Sequence, residues 1–170
     1  FKFNTPVFSG RLSAAEFYEN PQELQSKSVT ASFIFSYPIN TADLKDHIKI
    51  RTVSGDSYDF DYKLTDNNTA LHIISKPVKI KSEVDFAKIS VTNLGNAYNQ
   101  KTLDKNLETT VKIPSSSTFF QIKKLFSHIV RNAQNNNNPE QILSVEFTTA
   151  VNNRQLQNAL TLNYIAEDCY

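Results

Sequence analysis

A chain of 170 residues, 39% hydrophobic and 21% charged, has enough apolar content for one folded domain, or one domain and part of another, and does not read as a disordered segment. Its net charge of +1, with lysines interleaved among carboxylates as in "DFDYKLTD" (Asp59–Asp66), shows no basic stripe and gives no argument for nucleic acid or acidic lipid as partner. The single cysteine, Cys169, rules out an intrachain disulfide.

The first clear element is a strand in which Ala31, Phe33 and Phe35 alternate with Ser32, Ile34 and Ser36. Pro38 removes a backbone donor and ends or bends it. Asn40 then reads as a helix N-cap, with Asp43 in the capping-box position. Ile39 and Leu44 have the spacing of a hydrophobic staple, and Ile48 follows on the same face. The phrase has a second copy. "FTTAVNNRQLQNALTL" aligns with "FSYPINTADLKDHIKI" at an offset of 112, Phe147 on Phe35, and repeats an apolar residue (Val151), a cap (Asn152) and a staple partner (Leu156).

Further strands are expected at Tyr58–Leu64, Ala70–Ile74, Val78–Lys81, Val84–Thr92 and Leu107–Ile113, with turn chemistry at Asp66–Asn68 and at Asn93 and Gly95. Strands at this spacing, with 12 Phe, 7 Tyr and no Trp, predict an all-β sandwich, immunoglobulin-like or macroglobulin-like, with short helical turns. "PSSS" (Pro114–Ser117) is the expected boundary between residues 1–114, a first sandwich, and residues 118–170, the start of a second and truncated one. At the observed offset the second unit has no counterpart of the strands beyond Tyr58. No apolar run approaches a membrane span. No signal peptide stands at Phe1, so any targeting segment is expected to have been removed or to lie outside this sequence.

No set of residues converges on a chemistry. His47, His72 and His128 are far apart, and none stands at metal-ligand spacing with another ligand type. Asp59 and Asp61 are two apart, as paired carboxylates can be, but alternate with aromatics as a solvated strand face would. The Asp66–Asn68 turn lacks the glycine and distal glutamate of a calcium loop. Asn67-Asn68-Thr69 matches the glycosylation sequon, and three glycines provide no phosphate-cradling loop. No catalytic, cofactor-binding or metal-binding residue is assigned, and the chain reads as non-enzymatic.

Three phrases, "EFYENPQE" (Glu16–Glu23), "VTASFIFSYPINTADLKDHIKI" (Val29–Ile50) and "RNAQNNNNPEQILSVEFTTAVNNRQLQNALTL" (Arg131–Leu162), together resemble the N-terminal macroglobulin-like domains of the bacterial alpha-2-macroglobulin family. The resemblance implies a scaffold segment of a large protease trap in the periplasm or cell envelope. Its partners would be proteases, through the full-length parent, and neighbouring domains of the same chain. Nucleic acid and direct membrane insertion of this segment are not expected. The family's thioester cysteine is followed by Gly-Glu-Gln, whereas Cys169 is followed by Tyr170, so no functional residue is carried over. The alternative is an immunoglobulin-like module of a bacterial adhesin or cell-surface stalk.

Overall fold

The computed structural model describes residues 7–20, 23, 26–135 and 137–161. Cys169 and Leu162, both invoked above, lie outside the described residues. The chain divides into two compact units, Phe1–Ser116 and Ser117–Tyr170.

In the first unit the period-two patterns become two antiparallel four-stranded sheets. One is ordered β1 (Gly10–Glu19), β2 (Lys27–Phe35), β6 (Ala70–Ser75), β5 (Phe60–Thr65). The other is ordered β4 (Ser57–Tyr58), β3 (Ile48–Thr52), β7 (Asp85–Val91), β8 (Leu107–Ile113). This is an all-β sandwich. Its core takes the inward residue of each alternation, with Val29, Ala31, Phe33 and Phe35 from β2 meeting Ile89, Val91, Val111 and Ile113 in one apolar cluster. Each such side chain, fully covered, contributes roughly 1.5–3 kcal/mol.

The sheet edges are closed by sequence-specific devices. Tyr58–Leu64, expected as one strand, is two. Asp59 interrupts the ladder, its Oδ1 accepting the Phe60 N–H (2.8 Å), and the chain passes from the second sheet (β4) into the first (β5). That crossing joins the two sheets along one side. On the other side β1 runs beside β8, and Gly10 makes the approach possible. A Cβ there would stand 2.8 Å from Leu107 Cδ1 and 2.8 Å from Phe35 Cδ1, too close for any larger residue without movement.

Two further expectations need correction. Val78–Lys81 forms no strand, although Val78 is buried and its N–H donates to the Lys27 carbonyl (2.6 Å). Pro77 has no N–H to give a ladder, and the Lys79 N–H donates to the Tyr58 hydroxyl (3.2 Å) rather than to a neighbouring strand. Nor do Asn40 and Asp43 build a capping box. Asn40 Oδ1 accepts the Ala42 N–H (3.0 Å) in a local Asx turn. The helical turn that follows is 3-10 and spans Leu44–His47, and Asp43 before it is left-handed (φ 53) with no side-chain cap. The apolar half of the phrase docks as expected, since Ile39, Leu44 and Ile48 are all buried.

The second unit consists of a short helix α1 (Ser116–Phe119, straddling the division), a hairpin of β9 (Ile122–Asn132) and β10 (Asn138–Phe147), and helix α2 (Asn153–Ala159). Its pairing reproduces that of β1 and β2 at the offset found in the sequence. Gly10↔Phe35, Ala15↔Ala31 and Glu19↔Lys27 in the first unit become Ile122↔Phe147, Ser127↔Leu143 and Arg131↔Pro139 in the second. Each hairpin has one register shift near the start of its first strand. After each, an asparagine makes the same bond, the Arg154 N–H donating to Asn152 Oδ1 at 3.0 Å as Ala42 does to Asn40. In the second copy the asparagine does precede a helix as its N-cap.

Candidate functional surfaces

The histidines and carboxylates singled out in the sequence are dispersed. His47 Nδ1 lies 3.0 Å from the Thr92 carbonyl, which ties the 3-10 turn to the end of β7. His128 makes an edge contact with Phe126 on the hairpin. Asp59 and Asp61 are held by different lysines, Lys45 at 3.8 Å and Lys76 at 2.5 Å. The hydrogen bond from Lys76 holds the Asp61 carboxyl below the usual range and raises the lysine in turn. Asn67 sits in an exposed turn with Asp66 and Asn68, all three left-handed.

His72 has the most suggestive neighbours. On the outer face of the first sheet, Ser32 Oγ is 2.9 Å from its Nδ1 and Thr65 Oγ1 is 3.2 Å from its Nε2. A serine–histidine contact is half of a nucleophilic pair. The other half is a group that orients the base and stabilises the imidazolium, commonly a carboxylate. Here a neutral hydroxyl takes that place. Ser32 and His72 are direct partners across β2 and β6, so register alone brings them together. The contact is cross-strand polar pairing.

A second polar cluster lies under the β3–β4 turn. Asp85, buried at the start of β7, accepts hydrogen bonds from the Ser54 hydroxyl, the Phe86 N–H (2.8 Å) and the Ser54 N–H (3.3 Å). Lys81 Nζ reaches Asp56 at 2.6 Å, Ser54 Oγ at 2.5 Å and Asp85 at 3.8 Å. Burial pushes the Asp85 carboxyl up, but the bonds from Ser54 and Phe86, with the Lys81 charge, outweigh it and hold it below the ordinary value. The hydrogen bond to Asp56 raises Lys81. Two carboxylates and a hydroxyl would suit a cation, but the lysine ammonium already stands among them. Among the described residues no three His, Cys, Asp or Glu side chains gather as a metal site. The cluster fastens the turn to β7.

The third surface is the β9–β10 hairpin, with Leu125 61% and Ile129 78% exposed and Leu143 and Ile142 also exposed. Its open end is fastened, Phe120 stacking on Phe147 and Thr148 bonding both Gln121 and Phe119. Among the described residues of the second unit, no element covers its faces. A lone two-stranded hairpin is marginal in water, so apolar residues on both faces mark a surface meant for burial.

One feature could not be read from the sequence at all. Lys49, Arg51, Lys88 and Lys112 are scattered over more than sixty residues, yet share the outer face of the second sheet. Strand alternation turns each outward, and register sets Arg51 beside Lys88. The only signal was the parity of positions within three strands, which has no meaning until their pairing is known.

No family model matches the chain. Over 167 aligned residues it is 23% identical to an alpha-2-macroglobulin homolog of Yersinia pestis. The match covers 93% of this chain and 8% of the relative, so the chain spans a small part of that protein's length. This weak similarity, running over nearly the whole chain, gives loose support to the resemblance noted in the sequence and to a macroglobulin-like scaffold.

Proposed function

We propose that this chain is a non-catalytic scaffold segment of an alpha-2-macroglobulin-like protease trap, working in the periplasm or cell envelope. The observation that carries the reading is the near-complete alignment of the chain with a small part of a much longer alpha-2-macroglobulin homolog. The physical character of the first unit suits the role: a sandwich with its edges joined on one side and packed on the other is a rigid block. Residues 1–114 are one macroglobulin-like domain in this reading, and residues 118–170 begin a second. The shared hairpin register and the repeated asparagine turn support that duplication. The exposed faces of β9 and β10 would be covered by the further strands such a domain needs, as β6 and the opposite sheet cover β2.

The test is protease capture by the full-length protein that contains this segment. After incubation with a panel of endopeptidases, a trap is cleaved in its bait segment and carries the protease with it through size exclusion. Replacing Phe33 by aspartate, which wrecks the first sandwich, should abolish retention. A full-length protein that is neither cut nor able to retain any protease of the panel overturns the reading and leaves the adhesin module as its replacement.

A further inference from the structure

The geometry points to the outer face of the second sheet as an adsorption site for an anionic lipid surface. The inference does not depend on the protease-trap reading. Lys49 and Arg51 stand two residues apart on β3, about 7 Å along the strand. Arg51 is directly opposite Lys88 on β7, and Lys112 on β8 is opposite Phe86, two residues from Lys88. The one carboxylate within this array is Glu108, which pairs with Lys88 at 2.7 Å. Among the described residues Lys49, Arg51 and Lys112 form no ion pair.

Like charges directly opposite on neighbouring strands destabilise a sheet, and Glu108 offsets only the Lys88 half of the Arg51–Lys88 pair, leaving the Arg51 charge uncompensated. A partner that brings negative charge would offset it. The arrangement favours a planar anionic surface over a protein. Protein interfaces deplete charge, lysine above all, at their centre and keep it for the rim. Here Arg51 and Lys88 hold the middle row of the face, and the exposed apolar side chains, Val53 (79%) and Phe86 (42%), lie toward the end that also carries Lys112, joined by a hydrogen bond from the Val53 N–H to the Phe86 carbonyl. Three adjoining strands present four cations on one face, only Lys88 of them paired with a carboxylate, and marginal apolar groups can settle among headgroups. No helix of the described residues is long and apolar enough to cross a membrane, and adsorption needs none.

The test is flotation of the whole 170-residue chain with vesicles of phosphatidylglycerol and phosphatidylcholine, and with phosphatidylcholine vesicles alone. The chain should float with the anionic vesicles only, and added salt should release it. Arg51→Gln, Lys49→Gln and Lys112→Gln should each weaken binding about fivefold. Glu108→Gln, which frees Lys88, should strengthen it by a similar factor while keeping its salt sensitivity and its need for anionic lipid, which apolar binding by a misfolded chain would lack. Lys63→Gln, on the opposite sheet, should change nothing. Absence of flotation at low ionic strength overturns the proposal, as does undiminished binding by Arg51→Gln/Lys112→Gln. Retention on immobilised polyglutamate with the same residue dependence, without vesicle binding, would overturn it in favour of an acidic protein partner.

Discussion

The β1–β2 and β9–β10 hairpins have the same register and the same asparagine turn behind them, but opposite surroundings. In β2 the side chains of Val29, Ala31, Phe33 and Phe35 are almost wholly buried, because β6 extends the sheet and the second sheet lies across its face. In β10 the matching positions, Gln141, Leu143, Val145 and Phe147, are exposed or half-buried. Local pairing therefore does not create a core. What an element buries depends on the third strand and the facing sheet, and the second unit shows the hairpin without them.

The sharpest way to break this comparison is to truncate matching residues. Phe33→Ala should destabilise the first unit by about 3–5 kcal/mol, whereas Val145→Ala, at the equivalent position, should cost under ~1 kcal/mol. Urea denaturation followed separately for the two units decides it. A large loss from Val145→Ala would mean the hairpin is covered in solution.

A smaller effect is expected at the start of each first strand. Gly10→Ala should cost about 1–3 kcal/mol because the added methyl collides with Leu107 and the buried Phe35 ring. The matching residue is Ile122, 62% exposed, and Ile122→Ala should be close to neutral in thermal melting. The glycine is needed only where β8 comes close.

Acid should separate the units as well. Asp85 is the one buried carboxylate among the described residues, and its folded pKa is lowered. A lowered aspartate contributes stability that is full above the unfolded value, 3.8, and is lost as pH falls from there through the lower folded value. The first unit should lose stability over that window, and Asp85→Asn should flatten the dependence while lowering stability at neutral pH. Melting curves across the acid range measure both. An unchanged slope in Asp85→Asn would assign the acid response to other groups.

The smallest contrast lies in the repeated turn. Asn152 caps a true helix and Asn40 an isolated turn, so Asn152→Ala should reduce the helical signal of α2, with a local cost of about 1 kcal/mol. Asn40→Ala should cost less, of the order of 0.5 kcal/mol for one exposed neutral hydrogen bond. Circular dichroism and hydrogen exchange of the following amides would show it. Equal losses at both sites would mean that the 3-10 turn depends on Asn40 as a helix depends on its cap.

How much was legible follows from the range of each signal. The strands Ala70–Ser75, Asp85–Val91 and Leu107–Ile113 could be read closely because their alternation is local, and Ile39, Leu44 and Ile48 because a staple spans one turn. The 112-residue repeat was legible as a likeness of words; that it repeats a hairpin, with its register, needed coordinates. The break at Asp59 was missed because alternation runs unbroken through Tyr58, Phe60, Tyr62 and Leu64, and a strand that changes sheets keeps its parity. Val78 misled for the opposite reason, since Val78 and Ile80 alternating with Lys79 and Lys81 look like a strand although only isolated hydrogen bonds form there.

Local patterns in the chain were enough to say which residues face inward, where the chain turns and that no histidine, cysteine and carboxylate set shares a motif spacing. These are properties of neighbours a few residues apart, set by backbone period, proline and asparagine. Which strands adjoin is a property of the folded whole. Adjacency placed Ser32 on His72, forced glycine at position 10, left the second hairpin bare and gathered Lys49, Arg51, Lys88 and Lys112 on one face. Pairing between distant strands is chosen by the burial free energy of the whole sandwich, and no window of the sequence contains that sum.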